Sequence, residues 1–212
     1  MKTNTRTLAL LLALEAILVT IPFFILQSVF EFPDILRQPA DYALKLFLQH
    51  ESVIVPTYYF FLLSALFAIL LTIVLVQFFA SNEAASKGNS ALLSLGTATA
   101  IFQAIGFSRW VFTIPMIAHA YFAPSTSDAS KQALALLYDT LNRYLGMTVG
   151  EHLGFLAVGA WTMVLAWQFG KAGVATERVS RVLVWTGYAT GLLTIFSSGE
   201  HFGGGTAPYL RY

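Results

Sequence analysis

The chain has 212 residues, 57% of them hydrophobic and 11% charged, with a formal net charge of +1 and no cysteine. Soluble domains carry about 25% charged residues, so this composition fits a bundle of membrane helices and argues against a soluble domain. The absence of cysteine excludes a disulfide, a thiolate metal site and a cysteine nucleophile, and the near-zero net charge gives no reason to expect nucleic acid as a partner.

Lys2 and Arg6 precede an apolar run from Leu8 to Phe30. The run is too long for the apolar region of a cleaved signal, and no small-residue cleavage site follows it. It reads as an uncleaved first span, amino end in the cytoplasm, interrupted by Glu15. Residues 31–51 then leave the membrane. Pro33 and Asp34 make a break, and Pro39 suits the first turn of a short helix. Ala43, Leu44, Phe47 and Leu48 share one face, which predicts an amphipathic helix lying at the interface or packed on the bundle.

Span two is expected from about Val53 to Ala80, opening with Tyr58 and Tyr59 at the interfacial aromatic belt. A short polar loop, Ser81 to Ser90, leads to span three, from Ala91 to Ala123. This run exceeds a perpendicular crossing, so it tilts or projects beyond the lipid, and Pro115 should kink it about one turn beyond Arg109. Pro124 to Lys131 is a turn, with Ser127 a candidate cap and Asp128 favourable in the first turn. Leu134, Leu137, Leu141 and Leu145 recur at helical spacing and predict a second amphipathic helix on the same side as the first. Span four runs from about Val149 to Phe169 and span five from about Val182 to Ser198, joined by the loop Gly170 to Arg181. The predicted fold is a single integral membrane domain over residues 1–212: an all-α polytopic membrane helix bundle of about five spans plus two amphipathic interfacial helices.

The positive-inside rule counts lysine and arginine alone. With the amino end inside, the inner side holds six (Lys2, Arg6, Lys87, Lys171, Arg178, Arg181) against five outside (Arg37, Lys45, Lys131, Arg143, Arg211). The alternation of spans also brings His50, His119, His152 and His201 to one side, expected to be extracytoplasmic. Three of the four have an acidic neighbour: Glu51, Glu151 and Glu200.

Arg109 is the least expected residue in the chain. Near mid-membrane it opposes insertion by roughly 2.5–3.5 kcal/mol on translocon scales, so it should be paired. The only carboxylate deep in another apolar run is Glu15, and a buried Arg109–Glu15 pair is the expectation. It serves as a packing device that fixes the helix arrangement, or as an anion-binding group or part of a proton pathway. Imidazoles and carboxylates are ligands for zinc, iron, copper or manganese, and facing histidines also ligate haem. His119, His152 and His201 are the first candidates for metal ligands, though no local spacing such as HExxH supports them. Gly150–Gly154 and Gly187–Gly191 permit close helix approach, within the chain or between copies. No Gly-x-Ser-x-Gly elbow or nucleotide-binding glycine loop stands out.

Three stretches carry a family resemblance: Phe32-Pro33-Asp34-Ile35-Leu36-Arg37, Arg109-Trp110 with the apolar segment that follows, and Asn142 through Gly154. In order and spacing the chain resembles an uncharacterised family of bacterial multi-pass proteins, domain of unknown function 4386. The resemblance implies a helical membrane protein of about six bilayer-length spans in a bacterial inner membrane, and it brings no activity. The chain ends at Tyr212, where the family is expected to continue into another span.

The leading functional reading is a membrane protein that binds or senses a small ligand in an outward-facing polar pocket, with Arg109, Glu15, Glu151 and His152 as binding residues. The alternatives are a non-catalytic accessory subunit with membrane protein partners, and a metal-dependent membrane enzyme. Beyond the lipid bilayer, the sequence specifies neither partner nor cofactor.

Overall fold

A computed structural model describes residues 5–173 and 177–201. The described chain is helical throughout: α1 (Thr5–Phe30), α2 (Ala40–Phe79), α3 (Glu83–Ser86), α4 (Asn89–Phe112), α5 (Ile114–Tyr121), α6 (Asp128–Leu141), a π-helix (Asn142–Leu153), α7 (Gly154–Ala172) and α8 (Glu177–Ser197). Short 3-10 turns, Asp34–Arg37 and Ser198–His201, follow α1 and α8. Five helical stretches are long and apolar enough to cross a membrane. The protein is a multi-pass helical bundle, with five such stretches among the described residues where the resemblance implied about six bilayer-length spans.

The bundle has two ends, called here proximal, where α1 begins, and distal, where α1 ends. At the proximal end Leu8 packs with Leu71, Leu75, Phe79, Ala85 and Leu92. Gln168 of α7 ties this end together: its Nε2 donates to the Ala85 carbonyl at 3.0 Å and to Asn89 Oδ1 at 2.7 Å. The distal core is aromatic. Trp110 is fully buried, stacked on Tyr58 (ring centroids 5.3 Å apart) and Phe47 (6.1 Å), and met edge-on by Phe30 (4.9 Å). Tyr59 faces outward, as expected of the aromatic belt, whereas Tyr58 is buried against Trp110.

Both amphipathic segments are helical, and each continues into its span. At about 1.5 Å per residue, the 40 residues of α2 extend about 60 Å, twice a hydrocarbon core of roughly 30 Å. The excess projects distally, bent at His50, whose φ of −127° and ψ of 19° leave the helical region. The projecting faces are buried: Ala43, Leu44 and Phe47 pack in one core with Ile114, Ile117, Ala118 and Tyr138. Pro115 ends one helix and starts another. It has no N–H to offer Val111, so α4 stops at Phe112 and α5 begins at Ile114.

Outside, the polarity is that of a lipid-facing surface. Leu10, Leu70, Trp185, Leu193 and Phe196 are exposed, Phe196 by 74%, while several polar side chains lie inside. Close helix approach comes from glycine. A Cβ on Gly159 of α7 would fall 2.6 Å from the Gly191 carbonyl oxygen of α8, and one on Gly187 would fall 2.5 Å from Ala166 Cβ. The small residues at 187 and 191 therefore serve packing within the chain.

Replacing Gly159 by leucine should lower stability by about 1–3 kcal/mol through overpacking, whereas Gly199→Ala, where a Cβ would meet no described atom within 4 Å, should leave the melting temperature unchanged. Thermal unfolding of both variants in one detergent checks this; equal melting temperatures would show that the glycine contact is not limiting.

Candidate functional site

Arg109 lies on the last turn of α4 and is 4% exposed. Its Nη1 donates to the Gly106 carbonyl, and its Nη2 donates to Asn142 Oδ1 at 3.1 Å. The guanidinium carbon stands 5.3 Å from the ring centroid of Trp110, within the range of a cation–π contact. Asn142 begins the π-helix, and its Nδ2 donates to the Leu36 carbonyl at 2.6 Å. One amide thus links α4, the π-helix and the turn after α1.

The π-helix shapes the other side. Its i→i+5 bonding widens the backbone, and Thr148 Oγ1 donates to the Arg143 carbonyl five residues back at 3.0 Å. Asn142, Gly146 and Gly150, spaced by four, all face α4. A Cβ on Gly146 would lie 2.3 Å from Arg109 Nη2, and one on Gly150 would lie 3.1 Å from Gly106 Cα. Glycine at 146 leaves the space that the guanidinium fills.

The expected partner, Glu15, is absent from this arrangement. Among the described residues no carboxylate lies within ion-pair distance of Arg109, and Glu15 has a buried carboxylate oxygen with no hydrogen-bond partner. Depth explains the mismatch. Glu15 is ten residues into α1, about 15 Å along its axis, whereas Arg109 is twenty residues into α4, about 30 Å along. The two helices start from the same end, so the groups stand about 15 Å apart in height. Asn142 supplies the acceptor instead.

Arg109 lines a cavity of about 570 Å³ in the distal half of the bundle. Val19, Phe23, Phe61, Phe107 and Phe155 form much of the apolar wall; Tyr58, Gln103, Asp34, Arg37 and Glu151 add polar groups. Arg37 Nη2 meets Glu151 Oε2 at 3.5 Å, linking the turn after α1 to the π-helix. Three buried donor atoms on lining residues have no hydrogen-bond partner: Arg109 Nε, the Tyr58 hydroxyl and Trp110 Nε1. Buried polar groups are nearly always satisfied. Three such donors therefore belong to residues of one cavity wall.

The remaining candidates are placed elsewhere. His152 lies beside Glu151, but its Nδ1 engages the Ser198 carbonyl at 2.9 Å, and it does not line the cavity. His119 Nε2 is 2.9 Å from Glu51 Oε2 of α2. His50 sits at the bend of α2. The His201 side chain lies outside the described residues, and so does that of Glu200. Among the described residues no three histidine, aspartate or glutamate side chains form a metal-holding group.

Sequence reasoning left Asn142, Gly146 and Tyr58 out of the site. The Asn-x3-Gly-x3-Gly spacing was a usable signal for the first two. Tyr58 gave none, because an interfacial and a buried tyrosine look alike beside aromatic neighbours.

The family model for the domain of unknown function DUF4386 matches residues 7–209. The chain belongs to this family. No curated protein and no solved structure matches it. In this DUF4386 protein the three stretches that carry the family resemblance converge at one place. Leu36 and Arg37, Arg109 and Trp110, and Asn142, Gly146, Gly150 and Glu151 all surround the guanidinium or the cavity that it lines.

Asn142→Ala should destabilise the protein by about 1.5–3 kcal/mol, the usual contribution of a hydrogen bond to a charged group. Asn142→Asp keeps the acceptor for Arg109 but loses the donor to Leu36, so it should recover part of that loss. Chemical unfolding in detergent gives the comparison, and an alanine variant as stable as the parent would remove Asn142 from its structural role.

Proposed function

We propose that this protein binds a small anionic ligand in the distal cavity, with Arg109 as the principal anchor. The observation that carries the reading is the trio of orphaned donors, Arg109 Nε, Tyr58 hydroxyl and Trp110 Nε1, on residues lining one cavity. Each is a donor that an anionic oxygen satisfies, and the partners that Arg109 does have, a carbonyl and an amide oxygen, leave its charge uncompensated by any carboxylate within ion-pair distance among the described residues. The cavity volume of about 570 Å³ falls in the range of small-molecule sites, roughly 300–1,000 Å³.

In this reading Glu151 holds Arg37 at the rim, while Asn142 and Gly146 fix the Arg109 fork. His152 supports the wall through the Ser198 carbonyl. With the amino terminus cytoplasmic, the cavity faces outward, and ligand occupancy links the turn after α1 to the π-helix. That linkage suits a binding or sensing role.

A ligand that binds only the folded state at about 100 times its Kd stabilises by about 2.7 kcal/mol, a shift that thermal unfolding resolves. Acetate, inorganic phosphate and octanoate are the probes. At least one should raise the melting temperature of the parent protein, and Arg109→Gln should weaken its binding by about tenfold or more, since a charge-assisted bond contributes about 1.5–3 kcal/mol. Arg109→Lys should fail to restore it, because a point ammonium lacks the planar fork. No stabilisation by any of the three, or equal stabilisation of the glutamine variant, would overturn the reading.

A further inference from the structure

The walls of the cavity are not packed alike. On one side α4 meets the π-helix through Gly106 and Gly150, with backbones in contact. On the other side stand the two edge helices. α1 packs chiefly on α2, with side-chain contacts to α4 through Leu8 and Phe30, and α8 packs chiefly on α7 and on the turn that follows it. Yet Val19 and Phe23 of α1, Phe155 of α7 and Ser197 of α8 line the same cavity. Between α1 and the α7–α8 pair the wall is therefore made of side chains without close helix packing behind them.

This side faces the hydrocarbon. Val19 is itself exposed, as are Phe24 on α1 and Leu193 and Phe196 on α8. At the distal rim, by contrast, the Arg37–Glu151 contact and the Asn142–Leu36 hydrogen bond bridge the turn after α1 to the π-helix. The polar end is tied across, while on the apolar side α1 is seated on α2 and α8 on α7, and the two pairs do not pack closely on each other.

Resting on the anion-binding reading, we propose that the cavity takes a single-chain anionic amphiphile from the bilayer, its headgroup at Arg109 and its chain passing between α1 and α7–α8. Charge complementarity assigns the headgroup: the cavity wall includes the cationic Arg109, beside Tyr58 and Trp110, whose polar atoms have no protein partner among the described residues. The phenyl and valine walls assign the chain. A cavity of about 570 Å³ has the size of a site for one drug-sized molecule, which favours one chain over two. A chain already dissolved in the bilayer gains little transfer free energy on entering, because lipid tails are as apolar as the cavity wall, so the headgroup contacts should dominate affinity. Arg109 then does what an intramembrane charge does when it faces a functional cavity, pairing with a partner that arrives with the ligand.

The test uses the full chain in lipid nanodiscs and a palmitate analogue bearing a photoreactive diazirine on its chain. Labelling should map to α1 and α7 near Val19, Phe23 and Phe155, and unlabelled palmitate should compete it away. Arg109→Gln should reduce the labelling about tenfold or more. Tyr58→Phe, which keeps the ring and removes one donor, should reduce it less and guards against a glutamine variant that does not fold. Val19→Trp, which narrows the cavity between α1 and α7, should slow labelling. If acetate or phosphate stabilises the protein through Arg109 but palmitate does not label the cavity, the ligand comes from water: this proposal falls and the anion-binding reading stands. Labelling unchanged in both Arg109→Gln and Tyr58→Phe is chain adhesion to an apolar surface and overturns the proposal. Labelling of the cavity by a diazirine phosphatidylglycerol that palmitate fails to compete would overturn the single-chain assignment.

Discussion

A guanidinium enclosed in an apolar bundle, with no carboxylate within ion-pair distance among the described residues, is held by neutral oxygens, and that constraint organises the distal half of this protein. The backbone of α4 supplies one oxygen, at Gly106, and Asn142 supplies another. The same asparagine donates to Leu36, which pins the turn after α1 above the site. Because Arg109 fills the space beside Gly146, the facing segment can carry no side chain there. Its π-helical winding presents Asn142, Gly146 and Gly150 to α4 together. Pro115 then ends α4 just beyond the site, and the chain turns into the cap formed by α5 and α6.

The two ends of the bundle solve different problems. Proximally, Gln168 donates to Ala85 and Asn89, and mostly aliphatic side chains fill the core; along their length α7 and α8 are locked by glycine contacts. Distally, rings replace aliphatic chains, and Trp110 at their centre stacks on Tyr58 and Phe47. A ring cluster is a stiff support for a charge, since each well-placed aromatic pair contributes about 0.5–1.5 kcal/mol beyond its buried area. It also brings polar atoms, the Tyr58 hydroxyl and the Trp110 indole N–H, into a place where no described residue offers them an acceptor. Stable packing and unsatisfied donors thus come from the same residues.

The surroundings amplify such a site. Charge interactions strengthen as the local dielectric falls, and a buried hydrogen bond left unmade carries the full desolvation penalty of its group. The guanidinium is held by a carbonyl and an amide oxygen, with the Glu151 carboxylate of the same cavity acting on it from beyond ion-pair distance. The polar rim, where Arg37 meets Glu151, is more exposed and accordingly weaker. The chemistry of the cavity rests on Arg109 and the donors around it.

Much of this protein was legible in its sequence. Apolar run lengths determined the membrane bundle and its five described spans, because a bilayer of fixed thickness demands about 20 apolar residues per crossing. Leucine and phenylalanine periodicity determined both amphipathic segments, and the rarity of intramembrane arginine singled out Arg109. Which oxygen would hold that arginine was decided only in three dimensions. Glu15 was the sole carboxylate deep in another apolar run, but pairing depends on height along the helix axis as well as on charge. Height placed Glu15 about 15 Å from the level of Arg109 and left the task to Asn142, 33 residues further along the chain. The histidines were separated for a related reason. Alternating spans deliver side chains to the same end of a bundle, whereas helix rotation and packing decide whether they meet, and packing gave His119 to Glu51 and His152 to the Ser198 carbonyl. Sequence periodicity thus determined which segments cross and which faces are apolar; axial register and helix rotation, properties of the packed bundle alone, decided which polar groups touch.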